Sequence, residues 1–135
     1  MIPTNNLIMK YLGTNYKYHG DSLEDGFDCI NLCCAIGKDL GVYIPNINHS
    51  MFDIHSYQGL FDIRDNKAMW LHVQPKANTL CVFKTNGKVQ HVGYMLDDNQ
   101  FIHIMEGSRV SVDTLDNIQW SRRLVGCYEY IGNIN

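Results

Sequence analysis

The chain lacks what would tie it to a polyanion, a bilayer or a disulfide scaffold. Lys and Arg number 11 against 14 Asp and Glu, a net charge of −3, and the basic residues are scattered. That pattern leaves no electrostatic footprint for nucleic acid. No apolar run approaches the ~20 residues of a membrane-spanning helix. The opening Met-Ile-Pro-Thr-Asn-Asn-Leu-Ile-Met-Lys has neither a basic segment nor a long apolar stretch, so no signal peptide is expected. The 5 cysteines are odd in number, and Cys33 and Cys34 are adjacent within a helical pattern. They make a poor disulfide framework and favour reduced thiols in a cytoplasm. No Cys-x-x-Cys or His-x-x-x-His spacing occurs, so neither metal nor cofactor is expected. No repeat, linker or low-complexity run divides the 135 residues, of which 45% are hydrophobic, and one domain over 1–135 is the natural reading.

What is present is organised around Gly26–Gly41. Apolar or thiol side chains at 29, 33, 36 and 40 follow the spacing of one helical face. Asp28 is a suitable N-cap, and Gly41 stands where a left-handed residue would stop the helix. Cys29 then occupies the first turn, where unpaired N–H groups and the helix dipole favour an anion. Lowering a thiol from about 8.5 to about 5 takes roughly 5 kcal/mol. A helix end supplies at most ~2 kcal/mol, so an activated Cys29 requires an imidazolium beside it. The plain alternative is a buried helix cysteine.

Elsewhere the pattern predicts a short helix over Leu7–Leu12, capped by Asn5 or Asn6 and ended by Gly13. An aromatic loop follows over Thr14–Gly26 and could cover one side of a site. Short helices are expected over Met51–Leu60 and Lys67–His72, joined by Asp62–Asn66. His49, His55 and His72 read as surface or satisfied histidines. Strands are expected over Thr79–Lys84, His91–Leu96, Gln100–Met105, Arg109–Val112 and Leu124–Ile131, with turns at Asn86-Gly87 and Asp97-Asp98-Asn99. Helices first and strands after indicate an α+β fold with a helix packed on an antiparallel sheet of about five strands.

In that layout His91 opens a hairpin strand and His103 lies on its return. Both positions are odd, so a three-residue loop sets the two side chains on one face, nearly opposite. Cys29 as nucleophile, His91 as base and His103 as orienter would reproduce the logic of a Ser-His-Asp triad. Spacing alone also admits a zinc site of Cys29, His91 and His103 with Cys81 or water as fourth ligand, and two histidines buried for structural reasons.

Three blocks resemble those of the NlpC/P60 cysteine peptidases. They are Gly13–Gly20 followed by Gly26-Phe27-Asp28-Cys29, then His91-Val92-Gly93-Tyr94, then Phe101-Ile102-His103. The step from His91 to His103 is similar to the family's spacing, and Trp120–Tyr130 resembles the closing run of phage tail-assembly members. The likeness spans most of Gly13–Ile131 and is weakest around 45–75. Cys before His in the chain sets it apart from the circularly permuted relatives.

The resemblance implies a papain-like core, no cofactor, and hydrolysis of an amide in peptidoglycan stem peptides, often the bond between D-glutamate and a diamino acid. Cys29 would attack, His91 would take and return the proton, and His103 would orient His91. The Cys29 N–H and the Tyr16 hydroxyl would face the oxyanion, with Tyr18 close enough to compete. Other phage tail proteins are the implied partners, with synthesis in the host cytoplasm and delivery by the particle. The sequence departs from the family where Ser-Gly after the cysteine becomes Ile30-Asn31 and Gly-Gly becomes His19-Gly20, and the stretch from Tyr16 to Cys29 is one residue longer. These departures keep two alternatives open: a catalytically silent tail or adaptor module, and an acyl- or amine-transferring enzyme.

Overall fold

The computed structural model describes residues 4–45, 63–85 and 87–132. Helix α1 spans Thr4–Tyr11, and Gly13 beyond it takes the left-handed conformation at φ 82°. Two short strands, β1 (Asp21–Ser22) and β2 (Gly26–Phe27), pair just before helix α2, Cys29–Leu40. The caps of α2 are those expected. Asp28 is extended and accepts the Asn31 N–H, and Gly41 closes the helix at φ 76°. The buried side of α2 is wider than a single stripe. Ile30, Asn31 and Leu32 are buried along with Cys29, Cys33 and Ile36, so the first turn is enclosed all round.

The main sheet has six strands: β3 (Trp70–Val73), β4 (Leu80–Thr85), β5 (Lys88–Met95), β6 (Gln100–His103), β7 (Ser111–Thr114) and β8 (Leu124–Tyr130). They lie in the order β3-β8-β4-β5-β6-β7, each antiparallel to its neighbours. This is the expected α+β arrangement, with one strand more. The additional strand, β3, falls where a helix over Lys67–His72 was predicted. Its residues pair with Tyr130–Cys127 of β8, and Trp70 sets its ring edge-on to Tyr130 at 5.0 Å. Cross-strand aromatic packing decides the outcome there, a contact that local periodicity does not contain. The helix expected over Met51–Leu60, and His49 and His55, lie outside the described residues. His72 is exposed and stacks on Tyr128. Strand β7 begins two residues later than predicted, because Gly13, Tyr16 and the Asn15–Arg109 bridge hold 108–110. A short helix, α3 (Ile118–Ser121), capped by Asn117, was not anticipated.

The two faces of the sheet are packed differently. Leu80, Val82, Val92, Tyr94 and Ile102 join the main core with α2 and α1. Cys81, Phe83, Met95 and Phe101 form a second cluster with Trp120 of α3. The alternation is that of a pleated strand. No helix among the described residues is long and apolar enough to cross a membrane.

Candidate active site

The site is built from two pieces, a helix end and a diagonal across three strands. At the helix end, Asp28 is fully buried and held through both carboxylate oxygens by one residue. The Asn31 backbone N–H donates to Oδ1 at 2.8 Å, and its side-chain amide donates to Oδ2 at 3.3 Å. This fixes the first turn that carries Cys29, which is 3% exposed. Backbone N–H groups near the sulfur, that of Val92 foremost, favour its charged form. Burial nevertheless pushes the thiol up to about 12, the Asp28 charge adds to the rise, and the amides offset only part of it. Desolvation thus outweighs the N–H groups and opposes the helix-end thiolate considered from sequence.

On the sheet, His91 Nε2 and His103 Nδ1 are 2.7 Å apart and both rings are buried. The two residues share a face as expected, but they are not opposite one another. Tyr94 pairs with Ile102 and Met95 with Phe101, so continuing the register sets His103 against Gly93. The His103 ring crosses to His91 over Gly93, where a Cβ would lie 3.2 Å from His103 Cβ and 3.0 Å from Cys81 Sγ. Glycine at 93 is what leaves room for the diagonal. A bulge in the β4–β5 ladder pairs Phe83 with His91 but Lys84 with Val89, re-aiming the strand just before His91. His103 continues to a third residue, its Nε2 lying 2.7 Å from Asp113 Oδ2 on β7. Trp120 stands edge-on to His103 at 4.8 Å, and Phe83 and Phe101 complete the enclosure. Burial lowers His91 well below the usual imidazole value, with His103 and Arg123 adding to the fall. Burial lowers His103 as well, partly opposed by the hydrogen bond and charge of Asp113.

The structure brings His91 and His103 together on the sheet, while Cys29 sits in the main core at the start of α2. No hydrogen bond between Cys29 and His91 is among those of the described residues. Tyr16 is half-buried against the main core and forms a parallel bridge to Phe27, two residues before Cys29. It also lines an open cleft of about 860 Å³ with Asp25, Ser108 and Arg109. Tyr18 is 41% exposed and stacks on His19 at 4.1 Å. His19, where the family has glycine, takes the left-handed conformation at φ 59°. Among the described residues, no group of three or more His, Cys, Asp and Glu is placed to hold a metal ion. Cys81 lies instead in the second apolar cluster with Phe83, Met95 and Cys127. All five cysteines are free thiols.

Asp113, Trp120 and the Asn31 side chain are the parts that sequence reasoning missed. Asp113 lies one residue past the strand expected over Arg109–Val112, and only the observed strand Ser111–Thr114 places it beside His103. The register two residues off could not be read from spacing.

The sequence pattern of the NlpC/P60 family matches residues 13–129. The chain is 27% identical over 125 residues to murein DD-endopeptidase MepH of Escherichia coli (strain K12), covering 90% of this chain and 42% of that protein. It is 22% identical over 126 residues to gamma-DL-glutamyl hydrolase of Bacillus subtilis (strain 168), covering 93% of this chain and 28% of that one. It thus spans less than half the length of these curated relatives. The crystal structure of an NLP/P60-family, lipoprotein-like protein of Staphylococcus aureus superposes with a TM-score of 0.64 at 21% identity, over 96% of this chain and 40% of that one. By its sequence and its architecture, the chain belongs to the NlpC/P60 family.

Proposed function

We propose that the chain is a single-domain, cofactor-free cysteine amidohydrolase acting on peptidoglycan stem peptides. The observation that carries this is a buried cysteine on a capped helix start together with a buried, hydrogen-bonded histidine pair on the sheet, in a chain of the NlpC/P60 family. The names of the two curated relatives, an endopeptidase and a glutamyl hydrolase, support an amide bond as the substrate. On the likeness of Trp120–Tyr130 to tail-assembly proteins, we also propose that the enzyme serves within a phage tail.

The chemistry starts from two neutral partners. His91 Nδ1 removes the thiol proton as Cys29 Sγ bonds to the scissile carbonyl carbon, so charge separates only as the tetrahedral oxyanion forms. The sulfur and imidazole must approach during turnover, as catalytic hydrogen bonds commonly do when substrate binds. The Cys29 N–H and the Tyr16 hydroxyl face the oxyanion, where one such donor is worth about 3 kcal/mol. The exposed, stacked position of Tyr18 favours Tyr16 for this role. The imidazolium then protonates the leaving amine, and water, deprotonated by the same nitrogen, releases the acid and restores the thiol. His103 holds the His91 ring through Nε2.

The test is digestion of purified sacculi by the wild-type chain and by Cys29→Ala, with products read by mass spectrometry. The proposal expects muropeptides that gain one water at one amide, and none with Cys29→Ala; equal products from both would overturn it. An added amine appearing in the products would indicate transfer instead. Ile30-Asn31 and the altered Tyr16–Gly20 segment favour a silent tail module as the second reading. That reading predicts assembled, infectious particles from Cys29→Ala.

A further inference from the structure

We propose that Asp113 is a positioning residue of this site, selecting the ring tautomers of His103 and then of His91 so that His91 Nδ1 is left as the base. The proposal rests on reading Cys29 and His91 as nucleophile and base.

The geometry is a chain of two contacts, each 2.7 Å, running from His91 Nε2 to His103 Nδ1 and from His103 Nε2 to Asp113 Oδ2. It crosses three neighbouring strands on one face of the sheet. His103 pairs with Ser111, and Asp113 stands two residues further along β7. His91 stands two residues from Gly93 along β5, on the opposite diagonal. Diagonal neighbours of this kind are within reach of long or aromatic side chains. The His103 side chain is 3% exposed and that of Asp113 is 35% exposed, so the chain runs from a dry interior to a partly wetted carboxylate.

The donor and acceptor roles follow in one direction only. An ionised carboxylate accepts and cannot donate, so the shared hydrogen sits on His103 Nε2. A neutral imidazole carries one N–H, so His103 Nδ1 is then an acceptor. The hydrogen in the contact between the rings must come from His91 Nε2. His91 has no second hydrogen, and its Nδ1 lone pair is available to the thiol. Without Asp113 this order loses its anchor. His103 Nε2 could accept from water, its Nδ1–H could donate to His91, and His91 would carry its hydrogen on Nδ1. That nitrogen would then face the thiol with a hydrogen already on it, and proton transfer would stop. The groups facing the pair are Trp120, Phe83 and Phe101, with Arg123 acting on His91 from beyond Trp120. Of these only Arg123 is charged, and as a cation it cannot substitute for the carboxylate.

The test reads both histidine rings by long-range ¹H–¹⁵N NMR on the whole chain near neutral pH. In the wild type, both rings should carry their hydrogen on Nε2. In Asp113→Ala, both should become tautomer mixtures, and kcat should fall on the order of tenfold at unchanged KM. Asp113→Asn retains an oxygen that can accept, and should keep the wild-type tautomers and most of the turnover. A His91 hydrogen found on Nδ1 in the wild type would overturn the proposal without any variant. So would unchanged tautomers and kcat in Asp113→Ala. The spectra also decide the matter if the hydrolase reading fails, because they need no substrate.

Discussion

The helix end and the strand diagonal are buried alike but assembled from different kinds of information. The Cys29 end is local: Asp28, Asn31 and the first turn of α2 lie within four consecutive residues, and only the Val92 amide comes from elsewhere. The histidine end is assembled across β5, β6 and β7 from residues as much as 22 apart, His91 and Asp113. Burial drives both halves toward their uncharged forms, raising the thiol and lowering the imidazoles. A local motif therefore presents the proposed nucleophile, while long-range register assembles the proposed base.

Variants that break one half at a time sharpen this contrast. The largest effect is expected for His91→Ala, which removes the base and should lower turnover by roughly 10³-fold, measured on a muropeptide. His103→Ala leaves the base in place and should reduce turnover far less. Gly93→Ala strikes the diagonal without touching a reacting group. Its methyl would sit 3.0 Å from both Cys81 Sγ and Phe101 Cδ2. It should destabilise the fold by about 1–3 kcal/mol in urea unfolding and displace the His103 ring. Asn31→Ala removes the side-chain bond to Asp28 and should cost about 1 kcal/mol in the same measurement, while the histidine spectra stay unchanged. A shift of those spectra would show the two halves to be coupled through the helix end.

The legibility of the sequence follows the same division. Asp28, Cys29 and Gly41 could be placed because capping is decided within a turn, and the hairpin parity put His91 and His103 on one face. The pairing itself is diagonal, because Gly93 clears the space and the strand partners are offset, and no spacing rule contains that offset. β3 was read as helix because Lys67–His72 has no strand alternation of its own; its partner strand, β8, lies at the other end of the chain. Trp120 stood inside a run recognised for its likeness to relatives, yet its cover over the histidines depends on α3, a single turn held by the Asn117 cap. The extent of burial around Cys29 was not legible either. Helix position and amide donors are visible in sequence, whereas the desolvation that overrides them depends on how completely the first turn is enclosed.

The most direct test of a buried thiol that resists ionisation is the alkylation rate at each cysteine against pH, resolved by peptide mass spectrometry. A thiol raised by burial to about 12 should react slowly at neutral pH and keep accelerating through the alkaline range, with no plateau below pH 9. Rapid alkylation of Cys29 that stays level down to about pH 5–6, and is lost in His91→Ala, would reveal a preformed thiolate–imidazolium pair and contradict the account.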